Sequence, residues 1–176
     1  MCFIAALPGK GWCPLKPKLL IVCLVLWSAF FLVGASYCSD PEPVKNPVRS
    51  IEMRELENIV TKDSFSGILV AMASWCPPCR EELPVLADLY RQYREAGIDI
   101  AAVSVDMDGP SAVQPLINEL KIPFPVYWVG KSAVQHYKLV GIPTLIVYQH
   151  GRLVEKIPGS QSRKTIEKKI KALLQV

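Results

Sequence analysis

Histidine is almost absent from this chain: of 176 residues, only His136 and His150 carry an imidazole. A zinc site built on a cysteine pair needs two further ligands. Neither histidine has ligand spacing to a second cysteine pair, and no Cys-x-x-Cys-His run occurs through which the chain could attach heme. A large excess of one charge is missing too. The net charge is +4, and three of those charges are Lys10, Lys16 and Lys18. The small remainder gives no basis for a nucleic-acid partner. No acidic residue precedes Asp40, and no internal repeat is visible. Nothing in these absences calls for a metal or a cofactor.

Apolar residues, by contrast, make up 51% of the chain, above an ordinary soluble domain. Much of the excess lies in Leu19 to Ala35, a run without a charge that follows the three lysines. A basic start before an apolar run is an export signal or an N-terminal membrane anchor. The run is long for a signal core and short for a span, so both alternatives stand. Val33-Gly34-Ala35 offers small residues suited to cleavage after Ala35, whereas residues 19–35 retained would attach the protein to a membrane. Either way the lysines stay inside and the rest lies outside the cytoplasm. Cys38 is an unpaired linker thiol or, after processing, a lipid-modified residue, although the bulky Tyr37 before it does not suit a lipoprotein signal.

Six cysteines do not make a disulfide framework, because Cys2, Cys13 and Cys23 belong to the leader. Of the other three, only Cys76 and Cys79 have meaningful spacing, within Trp75-Cys76-Pro77-Pro78-Cys79. The pair follows the apolar run Ile68 to Ala73 and opens a helical pattern. A thiol at a helix N-terminus feels the positive end of the macrodipole, which favours the thiolate that attacks disulfides. Cys76, first in the pair, is the expected exposed nucleophile. Cys79, one turn into the helix, is the more buried thiol that resolves the mixed disulfide. A stable, inert disulfide is the alternative. Pro77 and Pro78 lack N–H groups, so they withhold two donors from the thiolate and stiffen the ring, or simply start a helix.

The organisation follows from periodicity and punctuation. Residues 1–37 form the signal or anchor, and 38–49 a linker rich in proline. The domain of 50–176 begins with Ser50 as N-cap of a short amphipathic helix. Ile68 to Ala73 is a strand. Pro77 to about Ala96 is a long helix with Pro84 inside it and Gly97 ending it. Ile98 to Val105 is a nearly continuous apolar strand, expected to be central and covered on both faces. A helix over Ser111 to Leu120, an extended piece ending at Val129 and a short helix over Lys131 to Tyr137 follow. Thr144 to Tyr148 and Leu153 to Ile157 form a hairpin, and Ser160 to Leu174 a terminal helix with a basic solvated face. Strands alternating with helices and closing in a hairpin predict an α/β fold, a mixed sheet covered by helices.

Cys-Pro-Pro-Cys at a strand-to-helix junction, followed by Gly141-Ile142-Pro143-Thr144 before the next-to-last strand, resembles the thioredoxin fold. Within it the chain is most similar to the TlpA/ResA-like exported thiol-disulfide oxidoreductases, which include the reductases of cytochrome c maturation. The similar stretches are Trp75 to Pro84, Ala102 to Asp106, Ile122 to Pro125 and Tyr137 to Val147, with Gly151-Arg152. The resemblance implies a redox disulfide between Cys76 and Cys79, protein substrates with cysteines or disulfides, and a membrane electron donor in an oxidising compartment. That compartment is the bacterial periplasm or the outer face of the cytoplasmic membrane.

The resemblance also implies that Pro143 is cis, although only about 5% of X–Pro bonds in folded proteins are. It implies that the Ile142 backbone pairs with an extended substrate, and that Trp75 is a surface plate beside the cysteines, with plain packing as the alternative. Glu82 falls where ResA-like proteins place an active-site glutamate. If buried, it would exchange protons with the cysteine pair; the alternative is an exposed helix glutamate, and Glu81 beside it is a competing candidate. Two features depart from the family. Val70 stands where relatives carry an acid or asparagine beneath the second cysteine, and little chain precedes the first strand for the family's extra N-terminal hairpin. The implied function is reduction of protein disulfides. A disulfide oxidase or isomerase is the enzymatic alternative, and a non-catalytic binding module or chaperone the alternative of another class. A peroxiredoxin-type peroxidase fits less well, since no threonine lies at the required spacing before Cys76.

Overall fold

The computed structural model describes residues 46–175. The leader, the membrane-attachment reading of residues 19–35, Cys38 and most of the linker lie outside the described residues. Six strands form one sheet: β1 (Arg49–Ser50), β2 (Gly67–Met72), β3 (Asp99–Ser104), β4 (Val126–Trp128), β5 (Thr144–Gln149) and β6 (Arg152–Pro158). Five α-helices accompany them: α1 (Met53–Val60), α2 (Pro77–Tyr93), α3 (Pro110–Glu119), α4 (Ser132–Tyr137) and α5 (Arg163–Leu173). A 3-10 turn over Arg94–Ala96 ends the long helix, and Gly97 closes it at φ 92°.

The strand order is β1-β4-β3-β2-β5-β6. The first four are mutually parallel, while β5 runs antiparallel to both β2 and β6. Every residue of β2 is buried, as a strand covered on both faces requires. The register sets Ala71 beside Thr144, so the chain enters β5 at the same sheet end where it leaves β2. Gly67 at the other end of β2 has no room for a side chain, because a Cβ there would overlap the Asp99 carbonyl oxygen. The β5–β6 turn is His150-Gly151, both at positive φ (48° and 71°), the two-residue geometry that matches the twist of a hairpin.

Two boundaries differ from the sequence expectation. Ser50 is not a helix cap: it lies in β1 opposite Trp128, and Glu52 takes the N-cap position of α1. Residues at the end of the linker range already belong to the domain. Asn46 Nδ2 donates to the carbonyls of Ile122 (2.9 Å) and Phe124 (2.7 Å), and the Val48 N–H donates to Gln114 Oε1 at 2.8 Å. Pairing with residues far along the chain overrode the local helix-start signal. Two helix contacts brace the fold beside the sheet. Tyr93 on α2 donates to Glu167 on α5 at 2.7 Å, and Tyr137 on α4 donates to Glu57 on α1 at 2.9 Å. Among the described residues, no helix is long and apolar enough to cross a membrane.

Candidate active site

Cys76 is the N-cap of α2, and Pro77 and Pro78 occupy the first two helical positions. A capping side chain ordinarily accepts from the second or third helical N–H. Proline has none, so the first available donor is Cys79, whose N–H meets Cys76 Sγ at 3.3 Å. The two cysteines form a disulfide with Cα atoms 5.3 Å apart. Cys79 is 1% exposed, as expected for the inner thiol, but Cys76 is only 4% exposed rather than open to solvent. In the disulfide its sulfur is tied back over the first helical turn. What stands exposed beside the pair is Trp75, at 67%.

In β2, Val70 is fully buried between Ala102 of β3 and Leu145 of β5. No acid occupies that position. The carboxyl comes from the helix instead: Glu82, on α2, is only 2% exposed, which removes the exposed-glutamate alternative, while neighbouring Glu81 is exposed. Glu82 follows Cys79 by three residues, so their Cβ atoms are neighbours on the helix, about 5–6 Å apart. Its Oε1 accepts the Gln161 N–H at 2.6 Å, and its Oε2 is buried with no hydrogen-bond partner among the described residues. Burial raises the Glu82 pKa above its ordinary value, and the Gln161 N–H opposes that shift.

The Ile142–Pro143 peptide bond is cis, and Pro143 is buried at the start of β5 while Ile142 is half-buried. The Pro143 carbonyl accepts the Gly159 N–H at 2.8 Å, and Thr144 Oγ1 donates to the Gly141 carbonyl at 2.7 Å. Three loops at this end of the sheet present exposed apolar side chains: Trp75 after β2, Met107 after β3 and Val140 before β5.

Sequence reasoning missed Asp106. It is buried just beyond β3 and accepts from the Ser74 N–H (2.9 Å), Ser74 Oγ (2.5 Å) and Ser104 Oγ (2.7 Å). Its own carbonyl accepts Trp128 Nε1–H at 2.8 Å. Asp106 thus fixes the turn that leads from β2 into Cys76. The signal available was a polar pair, Ser104 and Asp106, interrupting the end of an apolar strand. Among the described residues, no group of three or more histidine, cysteine or carboxylate side chains is placed to hold a metal ion.

A buried redox disulfide at a helix N-terminus, with one buried carboxyl of raised proton affinity, can exchange two electrons and carry a proton. Comparison with known proteins agrees. The AhpC/TSA family matches residues 44–157. The thiol-disulfide oxidoreductase ResA of Bacillus thuringiensis subsp. konkukian is 27% identical over 164 residues, covering 88% of this chain and 92% of its own. Among solved structures, a thiol:disulfide interchange protein of the thioredoxin family from Chlorobium tepidum superposes with a TM-score of 0.60 at 21% identity, over 77% of this chain and 99% of that one. StoA from Bacillus subtilis does so with a TM-score of 0.54 at 22% identity, over 60% of this chain and 82% of that one. These two similarities establish the thioredoxin fold. Through the matched family and its curated relatives, the chain belongs to the AhpC/TSA family and, within it, to the ResA/TlpA-like thiol-disulfide oxidoreductases.

Proposed function

We propose that this protein is an exported reductase of protein disulfides, working outside the cytoplasm as an anchored or released domain. Its electrons would come from a membrane dithiol donor. The observation that carries the reading is Glu82, a buried carboxyl with a free oxygen one helical turn beyond the thiol that must lose a proton. In the first step the Cys76 thiolate attacks a substrate sulfur. The substrate S–S bond breaks, and the other substrate sulfur leaves as a thiolate that takes up a proton. In the second, Cys79 gives its proton to the Glu82 carboxylate and attacks Cys76 Sγ. The Cys76–Cys79 disulfide forms, the remaining substrate sulfur leaves, and two electrons have passed to the substrate. A carboxyl with a raised pKa lies closer to a thiol in proton affinity, so this transfer is easier to balance.

The reducing direction has its own support. With prolines at the first two helical positions, Cys76 Sγ accepts from the Cys79 N–H. Strong oxidants of this chemistry owe their potential to a stabilised reduced form, and two withheld donors work against that. Trp75, the cis Ile142–Pro143 loop and the exposed Met107 and Val140 suit an extended, partly apolar substrate segment. The family resemblance makes heme-site cysteine disulfides in cytochrome c maturation the proposed substrates, and the basic leader with its apolar run supports export. The test is catalysis of insulin disulfide reduction by the reduced full-length chain. Turnover lost in Cys76→Ser, with Cys79→Ser accumulating a mixed disulfide, is the expected outcome. No turnover by the wild type would favour a binding module.

A further inference from the structure

Gln161 lies in the turn between β6 and α5, one residue before Ser162, the N-cap of α5. Its backbone N–H donates to Glu82 Oε1 at 2.6 Å. Its side-chain amide is spent on its own turn, donating to the Gly159 carbonyl at 2.9 Å and to that of Pro158 at 3.5 Å. Gly159, at φ 82°, in turn donates its N–H to the Pro143 carbonyl at 2.8 Å. A continuous run of hydrogen bonds therefore leads from the cis-proline loop through one turn to the buried carboxyl. The amide brace orients the N–H, and among the described residues that N–H is the only donor to Glu82, Oε2 having no partner there.

We propose that Gln161 is a positioning residue for Glu82, holding the carboxyl through a turn that also carries Pro143. The proposal rests on the reading of Glu82 as the proton-exchanging group of the cysteine pair. The turn keeps the carboxyl and the substrate-facing loop at one separation, so Oε2 stays free for the proton. Other charged groups along the α2–α5 contact are engaged elsewhere. Arg163 pairs with Asp88 at 3.6 Å, and Glu167 is shared by Tyr93 and Lys171. On its own helix the nearest carboxyl to Glu82 is the exposed Glu81, while Cys76 and Cys79 are held in the disulfide. The two opposing influences on Glu82 are burial and the Gln161 N–H. Loosening the turn weakens the one that favours the carboxylate.

The test is a carbon-13 NMR titration of the Glu82 carboxyl in the oxidised full-length chain, comparing wild type with Gln161→Ala. The alanine keeps the N–H but loses the brace, and the Glu82 midpoint moves upward. Gln161→Pro removes the N–H itself and moves it further. If Gln161→Pro fails to fold, Gln161→Ala decides alone. In the reduced enzyme, Gln161→Ala slows mixed-disulfide release by roughly tenfold at most, the scale of one hydrogen bond's net worth. The same change on a Glu82→Gln background slows it no further. An unmoved or lowered Glu82 midpoint, or equal slowing on both backgrounds, overturns the proposal. An unaltered thiol titration in Glu82→Gln overturns the role of Glu82 itself, and is read independently of the carboxyl titration.

Discussion

Asp106 and Glu82 are equally buried, each 2% exposed, and both follow the cysteine pair in the chain, yet their surroundings differ. Both oxygens of Asp106 are occupied, by the Ser74 N–H, Ser74 Oγ and Ser104 Oγ. Among the described residues, Glu82 has a single donor on one oxygen and none on the other. A buried polar group with its partners complete is an anchor, because removing it strands the groups it satisfied. A buried carboxyl left half satisfied gains little from ionising, so its affinity for a proton rises. Asp106 shapes the turn into Cys76, and Glu82 is left able to bind and release a proton beside Cys79.

That contrast breaks first, and hardest, at Asp106. Asp106→Ala strands the buried Ser104 hydroxyl and leaves the half-buried Ser74 hydroxyl and N–H without their acceptor, and should cost about 3 kcal/mol of stability by urea unfolding. Glu82→Gln should cost about 1 kcal/mol or less, but slow mixed-disulfide release about a hundredfold, the lower range of a general acid–base contribution. If Glu82→Gln unfolded the protein while Asp106→Ala slowed only exchange, the two roles would be reversed.

The pH dependence of stability sharpens the same contrast on a smaller scale. The Glu82 pKa is raised in the folded oxidised protein above its ordinary 4.5. The native state therefore binds that proton more tightly than the unfolded chain does. Stability from this group is fully present below 4.5 and declines as pH rises toward the folded value. The wild-type curve should carry this decline and the Glu82→Gln curve should lack it, in urea titrations run from pH 4 to 8. Parallel curves would show that burial does not hold a proton on Glu82.

The sequence showed the parts of the site that are set locally. Cys76 and Cys79 at a strand-to-helix junction need only their neighbours to be recognised, and the helix, strand and hairpin periods around them carried through to α2, β2 and the β5–β6 pair. What depends on distant chain was hidden. Glu82 takes its donor from Gln161, 79 residues away, and Asp106 meets Ser74 across 32 residues. Ser50 carried a helix-capping side chain, but pairing with β4 drew it into a strand. Cys76 was expected to be the exposed thiol because it comes first, at the helix N-terminus, but in the oxidised pair it is only 4% exposed. The missing acid at Val70 was visible in the sequence as a departure. That Glu82 stands buried where it does became visible only once the β6–α5 turn was in place.

The central claim is that Cys76 and Cys79 form a reducing couple, and the midpoint potential of that couple tests it most directly. Equilibration of the full-length chain with a dithiol buffer should give a value near the reducing end of the range of about −270 to −120 mV spanned by such pairs. A value near the oxidising end would contradict the account and make the protein a donor of disulfides.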